Sequence, residues 1–132
     1  MSYNLEVGLI NEFELIVSKE HSAMSIGSGS INVFSTPSLI ANMEKAAFNA
    51  VDHKLGDEYT TVGTKVNINH IAATPMGMKV IFKAKLINVD KAKLLFEVEA
   101  YDEKEKIGFG THERYIINIE KFMKKANSKI IV

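Results

Sequence analysis

Alternating apolar and polar positions predict five strands in this chain of 132 residues. The first strand is predicted over residues 9–17. Four further runs occupy residues 61–69, 78–89, 93–101 and 107–119. The turns after the second and third of these runs are short and polar. This spacing predicts a meander of antiparallel hairpins in the second half of the chain.

A helical period of apolar residues replaces the alternation from Thr36 to about Lys54. Thr36 is predicted to cap the helix and Pro37 to occupy its first position, where a missing N–H costs nothing. Gly56 is a plausible stop. One broad apolar face is formed by Leu39, Ile40, Met43, Ala46, Ala47, Ala50 and Val51.

Glu44 lies inside this apolar face, four residues after Ile40 and three before Ala47. An ionised carboxylate in that position is costly unless it is paired or hydrogen-bonded. The position fits a carboxylate that reaches water over a packed stem. It fits equally a carboxylate held in a cleft for chemistry.

His70 is a second polar residue in an apolar setting. Val66 and Ile68 alternate with polar neighbours, and the same period places His70 on the buried face of its strand. The strand then ends near a turn signal, Thr74-Pro75-Met76-Gly77. An imidazole there either satisfies a local hydrogen bond or takes part in a reaction.

The remaining segments complete an α+β arrangement of one helix against one sheet. Residues 22–30 are rich in small residues and are predicted to form a loop, and residues 120–129 form a basic, helical or frayed tail. Neither internal repeats nor a low-complexity tract divide the chain. A single domain over residues 1–132 is therefore expected.

Composition excludes several classes of function. The chain has no cysteine, so it has no disulfide, thiolate metal ligand or cysteine nucleophile. Its four histidines show no metal-binding spacing. Sixteen acidic and sixteen basic residues balance, which argues against nucleic acid as the main partner. No signal peptide or membrane-length apolar run is evident, so a cytoplasmic protein without a membrane partner is expected.

Three motifs resemble segments of the hot-dog acyl-CoA thioesterases related to fluoroacetyl-CoA thioesterase. They are Val33-Phe34-Ser35-Thr36 followed by Met43-Glu44, then His70-Ile71-Ala72-Ala73-Thr74-Pro75, and finally Gly110-Thr111-His112-Glu113-Arg114. The resemblance runs from the first strand to Phe122. It implies a hot-dog fold, in which an antiparallel sheet wraps around one long helix.

The resemblance also implies a function and a set of site residues. It implies hydrolysis of a short- or medium-chain acyl-CoA, without a cofactor, by a homodimer whose active sites lie at the subunit interface. The catalytic set falls on Thr36, Glu44 and His70, with Glu44 as either nucleophile or general base. Gly63 and Arg114 match substrate-binding positions, although Arg114 could instead stabilise the dimer.

One feature separates this chain from that family, and two other functions compete with the thioesterase assignment. Gly27 and Ser30 stand where fluoroacetyl-CoA thioesterase carries aromatic lid residues, which indicates a more open acyl pocket. His112 is expected at the surface or at an interface. A non-catalytic acyl-CoA sensing module is the main rival function, and Glu44 argues against it. A hot-dog dehydratase is a weaker rival, because no corresponding Asp/His motif is present.

Overall fold

A computed structural model of the chain describes residues 4–130. Its elements are β1 (Ile10–Ile16), α1 (Ala23–Ile26), α2 (Thr36–Val51), β2 (Tyr59–His70), β3 (Lys79–Asp90), β4 (Lys93–Asp102), β5 (Lys106–Asn118) and α3 (Ile119–Asn127). Each predicted strand corresponds to an observed one within about two residues at either end. The small-residue segment contains one unpredicted helical turn, α1.

The five strands form one antiparallel sheet in the order β1-β3-β4-β5-β2. The predicted meander is therefore correct for β3, β4 and β5 but wrong for β2, which pairs with β5 and not with β3. The segment between β2 and β3 crosses the sheet and does not form a hairpin. It is held at Thr74, whose hydroxyl donates to Asp102 over 2.9 Å. β2 consequently forms one edge of the sheet.

The core lies between α2 and one face of the sheet, as a hot-dog fold requires. Alternate residues of β3 and β4 point towards the helix, and the predicted inward faces of both strands are buried. The buried side of the helix carries Leu39, Met43, Ala46, Ala47, Ala50 and Val51. Small alanines on this side let the helix approach the sheet closely. The α+β hot-dog prediction is confirmed.

The start of α2 differs from the prediction in a way that matters for function. Ser35, and not Thr36, is the N-cap, because its side chain accepts a hydrogen bond from the Ser38 N–H over 3.1 Å. Thr36 is the first helical residue, and its hydroxyl is free to make another contact. After Val51 the chain continues as one 3₁₀ turn over Asp52–Lys54. Gly56 then adopts a left-handed conformation, with φ of 83°, as the predicted stop requires.

β2 packs so closely against β5 that Gly110 has no room for a side chain. A Cβ at Gly110 would overlap the carbonyl oxygen of Asn67, a backbone atom that cannot move aside by rotation. We expect Gly110→Ala to lower the free energy of unfolding by about 3 kcal/mol, measured by urea denaturation. Gly29→Ala is the matched control, because its new Cβ would meet only Ala23 at 3.4 Å. Equal stability of the two variants would contradict the close packing.

The tail forms α3, as predicted, with Asn118 as its N-cap. Ile119, Phe122 and Met123 are exposed on one side of this helix. None of the helices formed by residues 4–130 combines the length and apolar character that a bilayer crossing requires. A cytoplasmic location stays a prediction.

Candidate active site

Thr36 and His70 are joined by a hydrogen bond of 2.7 Å between the threonine Oγ1 and the imidazole Nδ1. The two residues are 34 positions apart in sequence and lie on different elements, at the start of α2 and at the end of β2. The bond is available to Thr36 because Ser35 has taken over the capping of the helix. Two predicted site residues are thus in direct contact.

The imidazole of His70 is held in an environment that favours its neutral form. Burial lowers the pKa of His70 below 6.5, and a weaker interaction with the backbone of Ala72 acts in the opposite direction. Its Nε2 atom is buried and has no partner with ordinary hydrogen-bond geometry among residues 4–130. This buried Nε2 atom therefore has unused hydrogen-bonding capacity.

The Thr36–His70 pair lines an open cleft of about 390 Å³. The cleft lies between the α1 segment and the chain that follows β2. Its other lining residues are mostly small or apolar: Ala23, Ser28, Val33, Phe34, Ser35, Ile71, Ala72 and Ala73. This combination of one polar pair with apolar walls is typical of a small-molecule site.

Glu44 belongs to a second cluster, two turns further along α2. Its carboxylate lies beside Gly63, His112 and Arg114: a Cβ at Gly63 would be 3.4 Å from Glu44 Oε1, 3.3 Å from an Arg114 nitrogen and 3.1 Å from the His112 ring. Glu44 itself is half-buried. One carboxylate, one guanidinium and one imidazole therefore converge closely on Gly63.

Arg114 is the most firmly held residue of this cluster. Its side chain donates to the hydroxyl of Thr61 over 2.8 Å and to the carbonyl of Thr61 over 2.9 Å. The guanidinium also lies over the ring of Phe48, 5.7 Å from the centroid. Burial lowers the pKa of Arg114, and Glu44 and Asp52 oppose this effect by stabilising the cation. Arginine nevertheless remains charged in proteins.

His112 was expected at the surface or at an interface, but the single chain already buries it, leaving only 1 % of the residue exposed. The period of β5 could have located it, because His112, Arg114 and Ile116 share the face that packs on α2. Two consecutive polar residues on an inward face signal a functional or structural pair. Glu44 and His70 stand out in the sequence by the same criterion.

The five predicted site residues thus form two groups within one chain. Thr36 lies with His70, and Glu44 lies with Gly63 and Arg114. Eight residues of helix separate Thr36 from Glu44, about 12 Å along the axis, so the two groups do not meet directly. Among residues 4–130 no group of three or more histidine and acidic side chains is placed to hold a metal ion.

Comparison with known proteins identifies the family of this chain. The model of the family described as "FlK: Fluoroacetyl-CoA-specific thioesterase" matches residues 17–120. The fluoroacetyl-CoA thioesterase of Streptantibioticus cattleyicolor is 38 % identical over 97 residues, which cover 74 % of this chain and 70 % of that protein.

Solved structures give the same result. A mutant of the thioesterase FlK in complex with fluoroacetate and CoA superposes with a TM-score of 0.85 at 31 % identity, over 89 % of this chain and 99 % of that one. A hot-dog-like protein from Thermanaerovibrio acidaminovorans shares the fold, with a TM-score of 0.89 at 21 % identity over 98 % and 97 % of the two chains. The chain is a thioester hydrolase and belongs to the family of FlK-type fluoroacetyl-CoA-specific thioesterases.

Proposed function

We propose that this chain hydrolyses a short- or medium-chain acyl-CoA, and that Thr36, Glu44 and His70 form the catalytic set. The observation that carries the proposal is the 2.7 Å bond between Thr36 and His70 at the wall of a cleft. Among residues 4–130 the buried Nε2 of His70 has no partner of ordinary hydrogen-bond geometry. The FlK mutant that binds fluoroacetate and CoA supports an acyl-CoA as the substrate.

Glu44 supplies the group that starts the reaction, by one of two routes. In the first, its carboxylate takes a proton from water while the water oxygen bonds to the thioester carbonyl carbon. In the second, the carboxylate attacks that carbon and forms a mixed anhydride, which water then hydrolyses. In both routes the carbon–sulfur bond breaks, and the CoA thiolate finally takes up a proton. The products are the free acid and CoA.

His70 and Thr36 act on the proton and on the developing oxyanion. In the second route the neutral imidazole of His70 can accept a proton from the water that hydrolyses the anhydride, and return it to the thiolate. Thr36 orients the imidazole through its hydroxyl. Its own N–H belongs to the first turn of α2, whose N–H groups have no acceptor within the helix. That N–H at the positive end of the helix is suited to the oxyanion.

Gly63 and Arg114 are assigned to substrate binding. The absence of a side chain at Gly63 keeps the space beside Glu44 open for a thioester. The guanidinium of Arg114 borders the same space and supplies a fixed positive charge. A substrate carbonyl placed there would be within reach of both the carboxylate and the cation.

We further propose a homodimer in which each active site combines residues of two chains. β2 is an edge strand, and its residues 63–67 are all exposed within the single chain, including Val66 at 40 %. Such an edge is a template for a second copy. Antiparallel pairing of the two β2 edges about a two-fold axis would bring the Glu44 cluster of one chain towards the Thr36–His70 pair of the second copy. Light scattering should then give the mass of two chains.

The acyl group is proposed to occupy the cleft beside Thr36. Its walls carry small residues such as Ser28 and Ala72, and the neighbouring segment contains Gly27 and Ser30 in place of a bulky lid. A pocket that is open on this side accommodates acyl groups larger than fluoroacetyl. We therefore propose a short- or medium-chain substrate without a strict requirement for fluorine.

Thiol release from acyl-CoA esters of increasing length, from acetyl to palmitoyl and including fluoroacetyl, tests this function. We expect hydrolysis to be greatest for a chain longer than two carbons and to fall again for palmitoyl. A sharp preference for fluoroacetyl-CoA would contradict the open pocket. Binding of the esters without any thiol release would favour the acyl-CoA sensing module.

A further inference from the structure

We propose that His112 is a positioning residue of the thioesterase site, a neutral imidazole that fixes the Arg114 guanidinium beside Glu44 and Gly63. The inference rests on the proposed function of Glu44 and Arg114, and it assigns a role to a residue that none of the catalytic steps uses. It is carried by two hydrogen bonds at opposite sides of the His112 ring.

These two bonds determine where the imidazole proton lies. His112 Nδ1 is 2.9 Å from the carbonyl oxygen of Lys65, which can only accept, so Nδ1 donates. His112 Nε2 is 3.1 Å from a terminal nitrogen of Arg114, which can only donate, so Nε2 accepts. The ring is therefore neutral, with its proton on Nδ1. No other protonation state satisfies both contacts.

Through Nε2, His112 completes the support of Arg114. Thr61 holds the guanidinium by Nε and by one terminal nitrogen, and His112 holds the other terminal nitrogen. That third nitrogen is the one that borders the space over Gly63. Without His112 the guanidinium keeps its anchor at Thr61 but loses the contact that directs it towards this space.

The charges around His112 favour the state that this role needs. Burial and the neighbouring Arg114 cation lower its pKa, whereas the Lys65 carbonyl, Glu44 and Glu113 oppose the shift. Glu44 faces it from α2, and Arg114 and Glu113 lie on its own strand. A protonated His112 would place a second cation beside the guanidinium and convert Nε2 from an acceptor into a donor, which would break the bond.

Two substitutions separate positioning from simple packing. His112→Leu keeps the volume but removes the acceptor, and we expect kcat/KM for acyl-CoA hydrolysis to fall about 10-fold or more. His112→Gln carries an oxygen that reaches the Nε2 position, so it should recover most of that loss. His53→Leu is the matched control, because His53 is exposed on the 3₁₀ turn after α2 and should leave activity unchanged. Equal activity of the leucine and glutamine variants would overturn the proposal.

A double-mutant cycle tests whether His112 acts through Arg114. In an Arg114→Ala background, His112→Leu should cause no further loss, since the group that it positions is absent. A full additional loss in that background would overturn the proposal. Wild-type thiol release and a Glu44→Gln variant check the proposed function separately. If those behave as expected while the cycle is additive, only the role of His112 fails.

The proton position is measurable without any variant. Long-range ¹H–¹⁵N spectra of the wild type at pH 7 should show His112 as the neutral tautomer with its proton on Nδ1. This measurement remains decisive if the leucine variant does not fold. A charged ring, or a neutral ring with its proton on Nε2, would overturn the proposal.

Discussion

Replacing Glu44 with glutamine should lower kcat for acyl-CoA hydrolysis by about 100-fold or more. Glutamine keeps the size of the side chain and its place beside Gly63, but it can neither accept a proton from water nor form an anhydride. Because the substitution removes a group that acts in the reaction itself, KM should change little. Thiol release over a range of acyl-CoA concentrations measures kcat and KM, and the thermal midpoint checks that the variant is folded.

A matched control strengthens the Glu44 result. Glu12 is an exposed carboxylate on β1, at the edge of the sheet opposite β2, and Glu12→Gln should retain wild-type activity. Loss of less than a few-fold in Glu44→Gln would contradict the assigned role. If Glu44→Gln retained its activity, catalysis would have to depend on the Thr36–His70 pair instead of Glu44.

Replacing His70 with alanine should also lower kcat by about 100-fold, because the proton relay and its bond to Thr36 are both lost. The pH dependence of the wild type carries a second expectation. Burial lowers the pKa of His70, so the active neutral form persists below pH 6.5. Activity should hold as the pH falls through 6.5 and decline only as it passes the lower pKa of the folded enzyme.

The matched control for this prediction is His53→Ala, which removes an exposed imidazole remote from the cleft. This variant should keep both the rate and the pH profile of the wild type. An acid limb of the wild-type profile centred above pH 6.5 would contradict a buried neutral imidazole. So would a His70→Ala variant with nearly full turnover.

The long helix and the strands were predictable because their apolar periods are local. Glu44 and His70 stood out for the same reason, since each interrupts an apolar face that the sequence defines within one element. The signal that ends the helical segment is also local. Gly56 is predicted as the stop from its residue type, and it takes the left-handed conformation that favours glycine.

Long-range contacts account for what the sequence did not reveal. Ser35 and Thr36 are both good capping residues. Only the folded structure shows that Ser35 caps the helix while the Thr36 hydroxyl bonds to His70 on β2. The pairing of β2 with β5 depends on a crossing segment whose anchor, Thr74, bonds to the distant Asp102. The cluster around Gly63 likewise joins three elements. Such contacts have no periodic signal in a single sequence.

We propose that one active site uses Glu44 of one chain and His70 of another. A hybrid dimer, assembled from one Glu44→Gln chain and one His70→Ala chain with different affinity tags, tests it most directly. One of the two sites in the hybrid would then contain both intact residues, so we expect about half of the wild-type activity, although each parent variant is nearly inactive. A hybrid dimer as inactive as its parents would contradict the shared site, because it would place Glu44 and His70 of each site in the same chain.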